Sequence, residues 1–141
     1  MTADLFHYGH ANFLRQCREV GAARALAQGR GSAMIHLLVG VHSDADVIEF
    51  KRTPVMSMEE RMKGAEQCKF VDQVIGDAPL VTDEAFFAKW KVDSVMHGDD
   101  CPDEQYSVAV KMGIYDKVPY TKGISTSNLI KRIAKANATK V

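Results

Sequence analysis

Met34 to Val41, MIHLLVGV, is almost unbroken in apolar character, the pattern of a strand buried on both faces of a parallel sheet. Phe70 to Ile75 alternates weakly and Val92 to His97 is short and apolar, so both read as strands, and Asp116 to Pro119 is short and extended. Between these runs the spacing turns helical. Ala11 to Val20 sets Phe13, Leu14 and Cys17 on one stripe. Gly21 to Ser32, rich in glycine and alanine, extends that helix and then breaks it at Gly29 and Gly31. Ser57 with Glu60 three residues on is a capping box that opens a helix to about Lys69. Thr82 caps a helix through Trp90, with Glu84 in its first turn. Glu104 to Met112 is helical, and Ser125 to Ala136 is the last helix. Strands alternating with helices predict an α/β fold on a parallel sheet, with residues 1–136 as one domain and 137–141 as a polar tail that frays.

Ligands of such sheets sit beyond the carboxyl ends of the strands, which directs attention to the loops. His7-Tyr8-Gly9-His10 lies just before the first helix. Two histidines three apart at a helix start can both point at one ligand, Gly9 lets backbone approach a phosphate, and helix amides add positive potential. Surface or metal-binding histidines have the same spacing. Gly123-Ile124-Ser125-Thr126-Ser127 supplies hydroxyls and free amides before the last helix, fit for an anion and equally for plain capping. Lys51 lies on a loop ending in Pro54, and Arg61 falls early in the next helix, with Lys69 further on; a solvated face is the alternative for all three. His97-Gly98-Asp99-Asp100 follows a strand, and its adjacent carboxylates suit Mg²⁺, a ribose or a cationic substrate, or else a simple turn before Pro102.

Composition narrows the partners. The 141 residues, 46% hydrophobic, suffice for one core, and 18 basic against 18 acidic residues leave no net charge. Without a basic excess or stripe, nucleic acid is not the expected partner and small molecules are. Cys17, Cys68 and Cys101 form no CxxC pair, which points to reduced thiols in a cytoplasmic protein. No apolar run approaches the ~20 residues of a membrane span, and Met1 to His10 lacks the apolar core of a signal peptide.

Taken together, DLFHYGH (Asp4 to His10), VGVHSD (Val39 to Asp44), Phe50-Lys51, PVMSMEERM (Pro54 to Met62), FVDQVI (Phe70 to Ile75), HGDD (His97 to Asp100) and KGISTS (Lys122 to Ser127) closely resemble the cytidylyltransferase family, within the larger class of nucleotidyltransferases bearing HxGH. The resemblance covers nearly the whole chain. It implies a Rossmann-like parallel sheet with helices on both faces, usually a homodimer, acting on CTP with Mg²⁺ and joining CMP to a small phosphorylated alcohol. It further implies that His7 and His10 contact the nucleotide phosphates in the transition state and that Lys51 binds phosphate between the two substrates. Ser125 and Thr126 would hold phosphates at the last helix start. Asp4, Phe6, Gly9, Arg61, Gly123 and Ile124 would belong to the nucleotide site, with Asp99 or Asp100 beside the nucleotide or acceptor pocket. No residue is implied as a dedicated metal ligand.

The chain also departs from the family. Members have a strand before the DLFHYGH loop, central in the sheet; that strand is absent here, and an upstream segment is expected to supply it. Most members carry Arg-Thr before Glu-Gly-Ile-Ser-Thr, where this chain has Tyr120-Thr121-Lys122; Lys69 replaces a common arginine, and Gly21 to Ser32 reads as a surface insertion. Choline-type members have a tryptophan where Leu80 stands, and Trp90 is expected in the core. HYGH, Leu14 to Gln16, VGVHSD and HGDD look closer to the ethanolamine-phosphate members, whose primary ammonium Asp99, Asp100 and Asp103 would serve. Phosphocholine and glycerol-3-phosphate remain alternative acceptors, and a non-catalytic nucleotide-binding relative the alternative class. No amphipathic lipid-binding helix is expected after the domain, hence no membrane partner.

Overall fold

The computed structural model describes residues 1–31, 35–100 and 103–139. In chain order the elements are α1 (Tyr8–Ala27), β1 (Leu38–Gly40), α2 (Asp44–Phe50), α3 (Met58–Glu66), β2 (Gln73–Ile75), α4 (Glu84–Trp90), β3 (Val95–Gly98), a 3₁₀ turn (Asp103–Tyr106), α5 (Ser107–Lys111), β4 (Tyr115–Val118) and α6 (Thr126–Ala138). The strands pair in parallel, so the expected α/β class holds.

Boundaries differ from the expectation in ways the local chemistry explains. The first helix absorbs most of the expected insertion and runs to Ala27, with the chain turning at Gly29 and Gly31 as anticipated. The apolar run contributes only Leu38–Gly40 to the sheet; its start at Met34 lies outside the described residues. Asp83, not Thr82, caps α4, because its carboxylate accepts from the Phe86 amide at 2.8 Å. The hydrophobic pattern does not announce α2, which buries only Val47; Ser43 opens it by accepting from the Asp46 amide at 3.1 Å. Lys51 therefore ends a helix and is not mid-loop.

The sheet is in two halves. β1 pairs with β2 (Leu38 opposite Gln73, Gly40 opposite Ile75), and β3 with β4 (Val95 opposite Tyr115, Gly98 opposite Val118). Among the described residues no strand joins the halves. A cleft of about 380 Å³ lies between them, lined by Leu38 and Val39 of β1, Val95 and Met96 of β3, and Leu14 and Cys17 of α1. Trp90, expected in the core, also lines this cleft and is half-buried. Met1 sits at its edge: its ammonium donates to the Gly40 carbonyl at 2.5 Å, and the His42 amide donates to the Met1 carbonyl at 3.2 Å. That alternation about Val41 is the hydrogen-bond pattern of parallel strands.

α1 ties the halves together. Arg18 reaches the first, donating to the carbonyls of Ile35 and Phe70 at 2.9 Å and pairing with Asp72; Arg24 reaches the second, pairing with Asp116 at 2.5 Å and donating to the Gly113 carbonyl. Leu14, Val39 and Val41 form a buried cluster, with Phe6, Phe13, Met58, Met62 and Val74 packed against it. No helix among the described residues is long and apolar enough to cross a membrane.

Candidate functional site

The start of α1 is built by its two histidines. His7 is the N-cap: its Nδ1 accepts from the Gly9 amide at 3.1 Å, while His10 Nδ1 accepts from the His7 amide at 3.1 Å. The pair thus performs the reciprocal capping usually done by Ser or Thr with Glu or Gln. The rings stack with centroids 3.9 Å apart, and Phe6 continues the stack on His10 at 5.3 Å. Backbone N–H groups only donate, so each Nδ1 must accept, and the neutral ring carries its hydrogen on Nε2. Burial holds His7 below the ordinary imidazole range and pushes His10 down to about 3, with the His7 and Lys51 charges adding to the effect. The result is two neutral rings with the hydrogen on Nε2.

A second helix start meets the first. A Cβ on Gly9 would come within 2.9 Å of both the His7 ring and Ile124 Cγ2, so only glycine permits the two segments to approach. The close approach is therefore to Ile124. Gly123 takes φ +93°, which favours glycine, and turns the chain into α6. Ser125 caps α6 by accepting from the Asn128 amide at 3.2 Å. Thr126 Oγ1 donates to the Asp4 carbonyl at 2.9 Å and lies 3.5 Å from His7 Nε2. Two helix N-termini thus converge on one side of the imidazole pair, a concentration of positive potential suited to an oxyanion.

Asp4 and Arg61 stand behind this site. Asp4 is 1% exposed and accepts from Arg52 at 2.7 Å and from the Val55 and Met56 amides at 3.0 Å. Burial opposes its ionisation, but those amides and Arg52 outweigh it and hold the carboxyl below its usual range. Arg61, expected to bind nucleotide, is 0% exposed. Its guanidinium donates to the carbonyls of Met56 (3.2 Å), Thr2 (2.7 Å) and His42 (2.9 Å) and to Asp44 Oδ1 (2.6 Å). Four of its five N–H donors bind the protein, so it holds the loops before α1 and α2 in place.

The other expected residues divide. Lys51 is exposed at the end of α2, and its charge acts on both His10 and His97. Asp99 Oδ1 accepts from the Tyr120 amide at 3.0 Å, and the exposed Asp100 folds its carboxylate back over Gly98. Asp103 pairs with Lys117 at 2.8 Å. Leu80 is half-buried and Lys69 lies over the Phe70 ring. Cys101 and Pro102 lie outside the described residues.

A model of the cytidylyltransferase-like family matches residues 2–132. The chain belongs to this family. The cytidylyltransferase-like chain is 37% identical over 139 residues to a probable ethanolamine-phosphate cytidylyltransferase of Encephalitozoon cuniculi (strain GB-M1), covering 95% of this chain and 39% of the relative. The ethanolamine-phosphate cytidylyltransferase of Arabidopsis thaliana is also 37% identical, covering 92% and 30%. Choline-phosphate cytidylyltransferase 2 of the same plant is 35% identical, covering 94% and 42%. The chain therefore spans well under half the length of these relatives. Among solved structures, the lipopolysaccharide core biosynthesis protein of Thermoplasma volcanium GSS1 superposes with a TM-score of 0.63 at 20% identity, covering 88% of this chain and 93% of that one, a likeness of fold.

Two features of the site are not read directly from the motifs. His42 is buried, pushed down to about 4 by that burial, with Nδ1 2.8 Å from the Ala78 carbonyl. A carbonyl only accepts, so His42 carries its hydrogen on Nδ1, the opposite tautomer from the capping pair. The other is the His7–His10 cap itself, whose signal is the N-cap to N3 spacing of the HxGH motif.

Proposed function

We propose that the chain transfers CMP from CTP to phosphoethanolamine, releasing pyrophosphate and forming CDP-ethanolamine, a step in phospholipid biosynthesis. The observation that carries this reading is the convergence of the α1 and α6 starts on two neutral imidazoles whose hydrogens sit on Nε2, under the Lys51 charge. An acceptor phosphate oxygen attacks the α-phosphorus of CTP; the bond to the oxygen bridging the β-phosphate breaks, and pyrophosphate leaves with that electron pair. Such a step asks for positioning and charge stabilisation and no covalent intermediate.

In this reading His7 and His10 donate to phosphate oxygens as charge builds there, and Lys51 spans the two substrates' phosphates. Ser125 and Thr126, with the backbone of Gly123 and Ile124, hold the departing phosphates. Asp99 and Asp100 lie toward the ribose or the acceptor's ammonium. The described residues hold no group of three or more His, Cys, Asp or Glu side chains suited to a metal, so Mg²⁺ would be held chiefly by the triphosphate, with Asp99 or Asp100 as the protein's contribution. Bound there, it would neutralise phosphate charge. A homodimer in the cytoplasm goes with the reading.

The ethanolamine-phosphate relatives support the acceptor, as does Leu80, which offers no aromatic face to a quaternary ammonium. Phosphocholine is the second reading, favoured by the choline-phosphate relatives. The test is pyrophosphate release with CTP and Mg²⁺ across a panel of phosphorylated alcohols. Phosphoethanolamine is expected to turn over fastest. Faster turnover with ATP would remove the cytidylyl assignment, and no turnover with any acceptor would leave a nucleotide-binding relative.

A further inference from the structure

We propose that Tyr120 is a positioning residue that pre-forms the loop leading into α6 before any nucleotide arrives, a proposal that rests on the reading of that loop as a phosphate-holding segment. The residue carries no charge and so cannot do an arginine's work on a phosphate. Its polar groups are instead spent on the protein. The Tyr120 amide donates to Asp99 Oδ1 at 3.0 Å, which fastens the loop to the turn after β3. The Tyr120 hydroxyl donates to the Ile124 carbonyl at 3.2 Å, closing the loop across Lys122 and Gly123. The Ile124 carbonyl and the Ser125 amide belong to one trans peptide unit and point in opposite directions. Fixing the carbonyl on Tyr120 therefore fixes the direction of the Ser125 N–H, at the N-cap of α6.

Further ties on this loop come from α1. Asn12 Nδ2 donates to Thr121 Oγ1 at 2.9 Å, and Arg15 holds the Asn12 oxygen at 2.9 and 3.2 Å. Gln16 donates to the Pro119 carbonyl at 3.3 Å. Pro119 and Thr121 are thus held from α1, while the Lys122–Gly123 turn between Thr121 and Ile124 depends on the Tyr120 hydroxyl. Ile124 itself rests on Gly9, beside the His7 ring. Loosening this turn would let the phosphate-facing amides sample other directions, and nucleotide binding would have to restore the order. The cost falls on binding and leaves the chemical step untouched.

Tyr120→Phe removes the hydroxyl and little else, at a side chain exposed enough that folding is preserved. Backbone ¹⁵N order parameters at 122–126 in the nucleotide-free protein are expected to fall as the turn loosens, with KM for CTP rising about 3–10-fold, the effect of one neutral hydrogen bond, and kcat within about twofold. Unchanged order parameters overturn the proposal. So does a fall in kcat at constant KM, which would put the hydroxyl on the reacting phosphates. If the unsubstituted protein turns over no CTP, the proposed function fails, while the order parameters still decide whether Tyr120 orders the loop.

Discussion

Replacing Arg61 separates two roles for a buried cation. Arg61→Met keeps the length of the side chain and its packing but deletes every donor. The carbonyls of Thr2, His42 and Met56 then lose their partner inside the protein. Each buried polar group left unsatisfied costs about 1–3 kcal/mol. Asp44 is 44% exposed on its side chain and rehydrates, so the broken ion pair adds little. Three such groups sum to about 3–9 kcal/mol, and the lower part of that range, about 3–6 kcal/mol, applies because the bonds to Thr2 and Met56 are only partly buried. At about 2–4 °C per kcal/mol for a chain of this size, the melting temperature should fall by roughly 6–24 °C. Far-UV circular dichroism melts at pH 7 measure this. Well below the transition, KM for CTP should stay within about twofold, because the guanidinium faces no ligand. A variant that melts within about 2 °C of the parent while its KM for CTP rises about tenfold would put Arg61 on the nucleotide and refute the structural role.

Other perturbations address other parts of the molecule. An extended apolar segment engineered ahead of Met1, running parallel to β1, should enter the cleft between the half-sheets and raise the melting temperature by about 5–10 °C, since two or three buried side chains at ~1.5–3 kcal/mol each exceed the cost of ordering them by a small margin. An unchanged melt would mean the cleft does not accept a strand. His10→Ala should lower kcat about 10²–10³-fold with a smaller change in KM for CTP, as for a donor used mainly in the transition state; an unchanged kcat in a folded variant returns His10 to capping alone. Lys51→Ala should raise KM for the phosphorylated acceptor and lower kcat together, and a normal acceptor KM would contradict its place between the substrates. Stability should also depend on pH through His10 and His42, whose folded values of about 3 and about 4 lie below the ~6.5 of the unfolded chain. The unfolded state binds those protons first, so stability is level above about pH 6.5 and falls as pH drops toward the folded values, by at most ~1.4 kcal/mol per unit per group. Equal urea midpoints at pH 7 and pH 5 would refute this.

The alternation of strands and helices was legible because apolar runs and capping boxes are local signals, as Ser57 with Glu60 shows. α2 was not, because a helix of seven residues with one buried side chain leaves no periodicity to read. The residues of the site were legible as motifs: His7, His10, Gly123 and Thr126 do come together. What each does was harder to see. Arg61 has the sequence context of a surface cation, and only the fold puts the carbonyls of Thr2 and His42 around it, from positions remote along the chain. Gly9 suggested room for a phosphate, yet the space it leaves is taken by Ile124, a contact across more than a hundred residues. Long-range partners of this kind have no signature in a single sequence.

The reciprocal cap also settles which ions the imidazole pair can receive. A metal ion needs a lone pair on the ring. On His7 and His10 the Nδ1 lone pairs are engaged by the Gly9 and His7 amides, and Nε2 bears the hydrogen. To ligate zinc or nickel through Nε2, each ring would have to move its hydrogen to Nδ1, breaking the bond that starts α1 and setting N–H against N–H. Binding of such a metal is thereby coupled to unwinding the first turn of the helix. Trace transition metals that inhibit enzymes through paired histidines face that cost here, while an incoming oxyanion meets donors already in place.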